Sequence, residues 1–384
     1  MSREKIVMFK VFMSEDVLAP VNEVLMSGYI GQGPKVDEFE GLLATHVGNS
    51  QLITLNSATS ALHLAAFLAK RPNPASGWPG IQDGDQVLTS ALTCTATNWP
   101  MLANGLDIKW VDADPETCNI DLDDLEAKIT EKTKLITIVH WGGYPVDLDR
   151  LAAILDRAQE RIGFRPWVIE DCAHAYGTRY KGALLGNHGN INCFSLQAIK
   201  HFTTVDGGFM TLPNEDLYHR GKLLRWYGID RDAPKEDFRC EADISEWGFK
   251  FHMNDVCATI GIHNYPHIDG LVQKFKNNTA WYDEVLGDVP GVTNMRRDSW
   301  ADSAAWIHTI KVERREDFMR HMEACNIMVS RVHERNDKHS CVSEYRAPLP
   351  QLDKLVDEMI CIPNGWWLSD EDRAYVADCI KKGW

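Results

Sequence analysis

Residues 56–61 are rich in small hydroxyl side chains and lie between a predicted strand and a predicted helix. The first turn of a helix presents unpaired backbone N–H groups and the positive end of the helix dipole, and Ser57, Thr59 and Ser60 would add hydroxyl donors. Such an arrangement can bind a phosphate group. An ordinary Ser/Thr helix cap produces the same pattern, so this segment alone identifies no ligand.

A carboxylate and a histidine follow the predicted apolar strand 167–169. In open α/β sheets, ligands bind in the crevice at the carboxyl ends of the strands, so we expect Asp171 to point toward a bound ligand. A carboxylate in that position can keep a heterocyclic nitrogen protonated. The alternative is that Asp171 caps the helix that follows.

Lys200 lies between the predicted strand 191–195 and the turn that contains Gly207 and Gly208. A lysine there can reach a cleft, where desolvation lowers its pKa and makes the amine a nucleophile for Schiff-base formation. Most single lysines are instead solvated surface residues. Together, a phosphate cradle, a carboxylate for a ring nitrogen and a lysine for an aldehyde match the attachment points of pyridoxal 5′-phosphate (PLP), which is the predicted cofactor.

Short β-type runs alternate with helical stretches through the first two thirds of the chain, which predicts an α/β fold with an open, mostly parallel sheet. The predicted strands are 51–55, 86–89, 108–111, 135–139, 167–169, 191–195 and 209–212, and the predicted helices are 58–69, 96–103, 122–129 and 148–162. The pattern then changes to a long helix at 254–286, a strand at 306–312 and helices at 315–324 and 369–381. We therefore predict a large PLP-binding α/β domain at 1–253, with the long linking helix and a small α+β domain at 254–384.

The composition excludes several classes of protein. The chain has 384 residues, 44% hydrophobic and 25% charged, which is typical of a folded globular protein. Its net charge of −15 and the absence of a dense Lys/Arg run argue against nucleic acids and anionic membranes as partners. Ten cysteines occur singly, residues 1–12 do not resemble a signal peptide, and no window reaches the roughly 18–20 apolar residues of a transmembrane helix. We predict a reduced, cytoplasmic protein.

The motifs resemble those of the DegT/StrS-type (DegT/DnrJ/EryC/StrS) PLP-dependent sugar aminotransferases, which aminate keto groups of nucleotide-linked sugars. The family pattern S-G-T-A-A-L-H corresponds to residues 57–63, E-D-A-A-(H/Q)-A to 170–175, and S-F-x-x-x-K with a later G-G to 195–200 and 207–208. Residues 27–34 and 39–40 resemble its S-G-x-I-x-x-G-P…F-E signature, and 112–114, 119–121 and 140–143 its D-x-D, N-I-D and H-x-x-G elements. The resemblance implies the aspartate-aminotransferase-type fold (fold type I).

The resemblance also implies roles for individual residues. Lys200 would carry PLP through a Schiff base and later move protons, and Asp171 would pair with the pyridinium nitrogen. His174 would lie beside the ring hydroxyl, with a core histidine as an equal alternative. The residues expected to hold or adjoin the phosphate are Ser57, Ala58, Thr59, Ser60, Ser195 and Gln197. The implied reaction transfers the amino group of glutamate to a nucleotide-linked keto sugar, by default a 4-keto-6-deoxyhexose, in a homodimer with its sites at the interface.

Two positions depart from the family pattern. Cys94 stands where many members have an aromatic residue that stacks on the cofactor ring, so stacking is expected to be weaker or supplied elsewhere. Lys250 replaces an asparagine that, in the family, reaches across the dimer interface to the phosphate in the partner's site. A cation there would make a charge-assisted contact with that phosphate. The alternative is an exposed lysine without a ligand.

The remaining polar clusters suggest contacts with the substrate. The histidine-rich segment 332–339 lacks the spacing of zinc motifs, so we predict no metal site. It falls where the family has a loop near the substrate, and by charge it would contact the phosphates of the nucleotide sugar, as could Arg225, Arg231 and Arg331. Trp366 and Trp367 either stack on a nucleotide base or anchor the last helix, and packing against the protein interior is the favoured alternative.

Two other functions stay open in the sequence. One is a PLP-dependent sugar dehydratase, although such relatives carry histidine at the position of Lys200. The other is a PLP-binding regulatory protein without turnover, against which the intact pair of Asp171 and Lys200 argues.

Overall fold

The computed structural model describes residues 3–234, 237 and 243–384. Its strands are β1 (Leu52–Leu55), β2 (Gln86–Ser90), β3 (Asp107–Val111), β4 (Thr133–Val139), β5 (Trp167–Asp171), β6 (Arg179–Tyr180), β7 (Ala183–Leu184), β8 (Ile191–Ser195), β9 (Gly208–Thr211), β10 (Val292–Asn294), β11 (Ala301–Asp302), β12 (His308–Val312) and β13 (Met359–Ile362). Its α-helices are α1 (Leu18–Ser27), α2 (Pro34–Val47), α3 (Ala58–Ala69), α4 (Thr95–Ala103), α5 (Leu122–Lys128), α6 (Leu148–Ile162), α7 (Glu215–Leu224), α8 (Asp255–Asn264), α9 (Ile268–Leu286), α10 (Arg315–Ala324), α11 (Pro350–Glu358) and α12 (Asp370–Lys381).

The central sheet has seven strands in the order β1-β9-β8-β5-β4-β2-β3. The strands from β8 to β3 run parallel, whereas β9 is antiparallel to both β8 and β1. Every residue of β4 is buried, as expected for a parallel sheet that helices cover on both faces. The prediction of a mostly parallel α/β fold is confirmed, and each predicted strand of this sheet lies within two residues of an observed one.

The helix predicted at 254–286 is wrong as a single element. The structure ends α8 at Asn264, inserts a 3₁₀ turn at Tyr265–His267, and starts α9 at Ile268. Pro266 explains the break, because proline has no N–H to continue the helical hydrogen-bond ladder. The first part, α8, packs against α2 so closely that a Cβ at Gly261 would lie 2.4 Å from the ring of Phe39.

A second layer forms from the C-terminal part of the chain. Strands β10, β12 and β13 make an antiparallel three-stranded sheet, and β11 joins β6 and β7 of the N-terminal part in a second three-stranded sheet with shorter strands. Apolar side chains of α9, α10 and α12 bury the first of these sheets in its own hydrophobic cluster. The division into domains at residues 253 and 254 remains a prediction.

The segment before α1 connects the two layers. Ile6 pairs with Ile327 in a parallel bridge, and Trp366 and Trp367 donate indole hydrogen bonds to the backbone oxygens of Lys10 and Val7 at 3.1 and 3.2 Å. Both tryptophans pack against the main hydrophobic core, in agreement with the expected packing role.

Candidate active site

Asp171 lies at the carboxyl end of β5, at the centre of the sheet, and is buried. Thr97 donates a hydrogen bond from Oγ1 to Oδ2 of Asp171 at 2.7 Å, and the backbone N–H of Ala173 donates to Oδ1 at 3.0 Å. Burial raises the pKa of the Asp171 carboxyl, while these two hydrogen bonds and the charge of Lys200 act in the opposite direction. The carboxylate therefore lies at the carboxyl end of a central strand, and its contact with a ligand there remains a prediction.

Lys200 lies in the turn that follows β8, beside the same crevice. Burial lowers the pKa of its amine to about 8, against the charges of Asp171 and Cys94, which favour the protonated form. Its Nζ lies 3.7 Å from the ring centroid of Trp306. The lowered pKa makes the amine a usable nucleophile near neutral pH.

The N-terminus of α3 forms a third part of the site. Ser57 is the N-cap; its Oγ accepts a hydrogen bond from the backbone N–H of Ser60 at 3.0 Å. The N–H groups of Ala58 and Thr59 lie in the first helical turn, where the helix offers them no acceptor. Gly208, which pairs with Ser195 across β8 and β9, approaches this turn so closely that a Cβ would lie 2.5 Å from the nitrogen of Ala58. Backbone contact therefore brings Ser195 to the predicted phosphate cradle.

His174 lies beside Lys200 in a buried, mostly aromatic environment. The ring of Trp306 stacks on it with a centroid distance of 4.1 Å, and the backbone N–H of Gly142 donates to Nδ1 at 3.4 Å. Burial and the charge of Lys200 hold the pKa of His174 well below its usual value. Its role beside the ring hydroxyl of the cofactor remains a prediction.

A buried polar pair lies on the other side of β5 from Asp171. His140 Nε2 is 2.9 Å from Glu170 Oε2, and the N–H of Val146 donates to His140 Nδ1 at 3.1 Å, so His140 donates to the Glu170 carboxylate. Asn190 donates to the other oxygen of Glu170 at 2.7 Å. The sequence analysis did not find this pair, although strand alternation does send Glu170 and Asp171 to opposite faces.

Two predicted residues lie apart from this group. Gln197 is exposed, and its side-chain oxygen accepts a hydrogen bond from the N–H of Ile199 at 3.1 Å, within its own turn. Lys250 is exposed too, and only its backbone oxygen meets the start of α3, through Asn56 at 3.3 Å. Their roles toward a phosphate remain predictions.

Arg225 corrects the sequence analysis. Only 1% of its surface is exposed, since it forms an ion pair with Glu40 and donates a hydrogen bond to the backbone oxygen of Thr54 at 2.9 Å. Its charge is thus used inside the protein, and the expectation that it contacts a nucleotide-sugar phosphate is wrong.

The sequence analysis missed Thr97 and Trp306. Thr97 lies in the first turn of α4, which begins after the N-cap Cys94, so its place near the start of a predicted helix could have indicated it. Trp306 comes just before β12, far along the chain from the other site residues, and its Nε1 donates to the backbone oxygen of Ile199 at 2.9 Å. It supplies a large aromatic surface near Lys200, in a site where Cys94 supplies none.

The donor groups fit PLP. The unpaired N–H groups of α3 suit a phosphate, the buried carboxylate of Asp171 suits a protonated ring nitrogen, and the amine of Lys200 suits an aldehyde. The close approach of Gly208 to Ala58 brings the phosphate cradle and the strand before Lys200 to one edge of the sheet.

Comparisons with known proteins give one consistent result. Residues 12–381 match the model of the DegT/DnrJ/EryC1/StrS aminotransferase family. The chain is similar to the crystal structures of AtS13 from Actinomadura melliaura (TM-score 0.94, 47% identity, 100% of both chains covered) and of the sugar aminotransferase CalS13 from Micromonospora echinospora (TM-score 0.93, 45% identity, 99% and 100% covered). It is also similar to the UDP-4-amino-4-deoxy-L-arabinose–oxoglutarate aminotransferase of Shewanella sediminis, with 32% identity over 337 residues, 85% of this chain and 82% of that protein.

Within the described part of the chain, every helix is too short or too polar to cross a lipid bilayer.

Proposed function

The chain belongs to the DegT/DnrJ/EryC1/StrS aminotransferase family, and from that premise we propose that it moves the amino group of glutamate to a nucleotide-linked keto sugar. The chain is a sugar aminotransferase, and its cofactor is PLP. In the proposed reaction, glutamate leaves as 2-oxoglutarate and the keto group of the sugar becomes an amine. The default substrate is a 4-keto-6-deoxyhexose carried by a nucleotide.

Asp171 and Lys200 would carry the chemistry. PLP, when bound, supplies an aldehyde that exchanges amines and a protonated ring that stabilises negative charge on the reacting carbon. Asp171 would keep the proton on the ring nitrogen. Lys200 Nζ would take the α-proton of glutamate in the first half-reaction and deliver a proton to the sugar carbon in the second.

The phosphate would be held by the start of α3 and by the end of β8, with the N–H groups of the first helical turn as donors. The residues proposed for this role are Ser57, Ala58, Thr59, Ser60, Ser195 and Gln197. His174 would face the ring hydroxyl, and Cys94 would lie against the cofactor ring without the stacking of an aromatic residue.

The observation that carries this proposal is that the amine of Lys200, 3.7 Å from the ring centroid of Trp306, follows strand β8 while the buried carboxylate of Asp171 ends the neighbouring strand β5, at the same edge of the sheet. The first test is the near-visible absorption spectrum of the purified protein before and after glutamate is added. Borohydride reduction followed by peptide mapping should then find the cofactor on Lys200. A label on another lysine, or no absorption band after incubation with PLP, would contradict the proposal.

Replacement of the lysine gives the catalytic test. We expect Lys200→Ala to abolish turnover with glutamate and keto sugar, because the proposed attachment of PLP and both proton transfers depend on its amine. Lys274→Ala, which removes a surface ion pair with Asp370, is the matched control and should keep wild-type turnover. Wild-type turnover in Lys200→Ala would exclude the proposed mechanism.

Screening nucleotide-linked keto sugars would identify the substrate. The relative in Shewanella sediminis acts on a UDP-linked 4-amino sugar with oxoglutarate, which supports carbon 4 and the glutamate pair as the first choices. Amination of a 4-keto sugar would support the default substrate. Turnover with only a 3-keto sugar would show instead that the enzyme aminates carbon 3.

A homodimer forms part of the proposal. Helix α1 has no buried residue in the single chain, and large apolar side chains near it are exposed, including Met26 at 75% and Tyr29 at 86%. A second copy of the chain would cover such a face. The exposed side chain of Lys250 could then reach the phosphate in the partner's site, and Lys250→Ala should weaken PLP binding. Unchanged PLP affinity would reject that role for Lys250.

We also propose a cytoplasmic location. All nine cysteines in the part of the chain that the structure describes are free thiols, as is typical of a reducing compartment.

A further inference from the structure

His333 reaches from the C-terminal layer into the site and meets His174. The two Nε2 atoms lie 3.4 Å apart, the ring planes differ by 4° and the ring centroids are 5.5 Å apart. The nitrogens are close together while the centroids of the nearly parallel rings are far apart. The two rings therefore meet through their edges. The ring of Trp141 lies nearly perpendicular to both, with centroid distances of 6.0 Å to His174 and 5.9 Å to His333.

An unfavourable backbone turn places His333 there. Val332, the residue before it, has φ +67°, and the N–H of His333 donates to the oxygen of Arg331 at 2.8 Å. This is a γ-turn with positive φ at its central residue, a rare and strained conformation, and a β-branched side chain is a poor choice for it. Strain of this kind persists at functional sites when the surroundings determine the conformation.

Buried contacts on both sides hold the turn. Asn336 is fully buried; its N–H donates to the oxygen of Ala91, its side-chain amide donates to the oxygen of Thr93 at 2.7 Å, and its side-chain oxygen accepts from Asn98 at 2.9 Å. These partners surround the start of α4, next to Cys94 and Thr97. The loop of His333 is therefore fixed to the element that also holds Asp171.

The hydrogen bonds define where the protons lie. Because the N–H of Gly142 donates to Nδ1 of His174, the proton of a neutral His174 ring is on Nε2, which faces His333. Burial and the charge of Lys200 lower the pKa of both histidines, to about 4 for His333, so both rings are neutral near pH 7. His333 Nε2 then accepts the hydrogen bond from His174.

We propose that His333 is a positioning residue that fixes the ring orientation and tautomer of His174, and through it the ionisation of PLP bound at Lys200. The inference rests on the proposed function only in that PLP occupies the site. The sequence analysis assigned the loop of His333 to the phosphates of the substrate, whereas the structure points its ring at His174.

The test is a pH titration of the near-visible absorption band in PLP-loaded enzyme, which needs no sugar substrate. His333→Phe keeps a flat ring but loses both nitrogens, and His333→Gln loses the ring but keeps a hydrogen-bonding group. We expect His333→Phe to move the midpoint of the titration by about one pH unit and His333→Gln to restore most of it. His219→Gln, at an exposed histidine of α7, is the control and should leave the midpoint unchanged.

A wild-type midpoint in His333→Phe would overturn the inference. A larger shift of the midpoint in His333→Gln than in His333→Phe would overturn it too, because it would show that only the packing of the ring matters. If His333→Phe does not fold, His333→Ala provides a second test, since it also loses both nitrogens and introduces no larger side chain. It should move the midpoint in the direction expected for His333→Phe, and an unmoved midpoint would reject the inference. Failure of the proposed function would look different, because the wild-type enzyme would then bind PLP without transferring an amine, or not bind it.

Discussion

Thr97 joins the carboxylate of Asp171 to the first turn of α4 through a buried hydrogen bond. Thr97→Val keeps the shape of the side chain but leaves one carboxylate oxygen without this donor. We expect a loss of about 1.5–3 kcal/mol in the free energy of unfolding, the usual range for a hydrogen bond to a charged group. Urea denaturation measures the loss.

The same change should raise the pKa of Asp171 further, because the Thr97 hydrogen bond opposes the effect of burial. When the pH is lowered, the loss of cofactor affinity should then begin at a higher pH in Thr97→Val than in the wild type. Thr97→Ser keeps the hydroxyl and should behave like the wild type in both measurements. Equal behaviour of the two variants would show that the hydrogen bond has no such role.

The pKa of Lys200 predicts how cofactor attachment depends on pH. Burial lowers this pKa, so the neutral, nucleophilic amine increases as pH rises through about 8. Roughly a tenth of the amines would be neutral at pH 7 and roughly nine tenths at pH 9. The rate of covalent PLP attachment to cofactor-free protein, followed by absorption, should rise with a midpoint near pH 8. A midpoint near that of a free lysine would contradict the effect of burial.

The sequence predicted those site residues whose motif consists of neighbouring residues in the chain. Asp171 and Lys200 each follow a strand whose apolar pattern is plain, and the edge of a parallel sheet brings such positions together. Trp306 and the ring contact of His333 depend on how the C-terminal layer packs on the sheet. Pairing of residues so distant along the chain leaves no periodic signal, so neither was predicted.

At the scale of elements, the predicted strands and helices of the central sheet agree with the structure because their apolar periodicity is strong. Helices α1 and α2 were not predicted. In α1 the reason is physical: no residue of it is buried in the single chain, so it has no apolar stripe facing the core. Pro266 lies at the break between α8 and α9. The sequence analysis nevertheless predicted one helix there, because the apolar pattern continues on both sides of the proline.

Helix α2 receives its N-terminal cap from another helix. Asp255, in the first turn of α8, accepts hydrogen bonds at Oδ1 from the N–H groups of Gly33 and Val36, at 2.8 and 3.1 Å. Asp255→Ala should lower the free energy of unfolding by about 1–3 kcal/mol, because buried donors of α2 lose their acceptor. Urea denaturation would measure this loss. Asp255→Asn keeps one oxygen and should lose less, and a larger loss in Asp255→Asn would argue against the capping role.

At the scale of the whole molecule, the two layers meet at the site. The C-terminal layer contributes Trp306 and His333, and the segment before α1 places Phe9 against the other residues, with its ring stacked on Trp306 at 5.1 Å. Substitutions at the interface between the layers should therefore affect catalysis even where they lie far from Lys200.

The exposed apolar face near α1 predicts the oligomeric state. We expect wild-type protein to have twice the chain mass of 43.5 kDa by light scattering. The double variant Leu25→Glu/Met26→Glu should have the mass of one chain and bind PLP more weakly, because charges on this face cannot be buried against a second copy. Glu23→Gln, on the same helix, is the control. A wild-type protein of one chain mass would reject the dimer.

The contact between Gly208 and Ala58 has a consequence for how such an enzyme can diversify. No side chain fits at position 208, since a Cβ would lie 2.5 Å from one backbone atom and 2.7 Å from another, the oxygen of Phe194. In a saturation-mutagenesis library, this end of the site should tolerate no replacement, whatever sugar is used for selection. Substitutions that change the substrate preference would therefore have to lie on the opposite wall of the site, because the backbone contact excludes them at position 208.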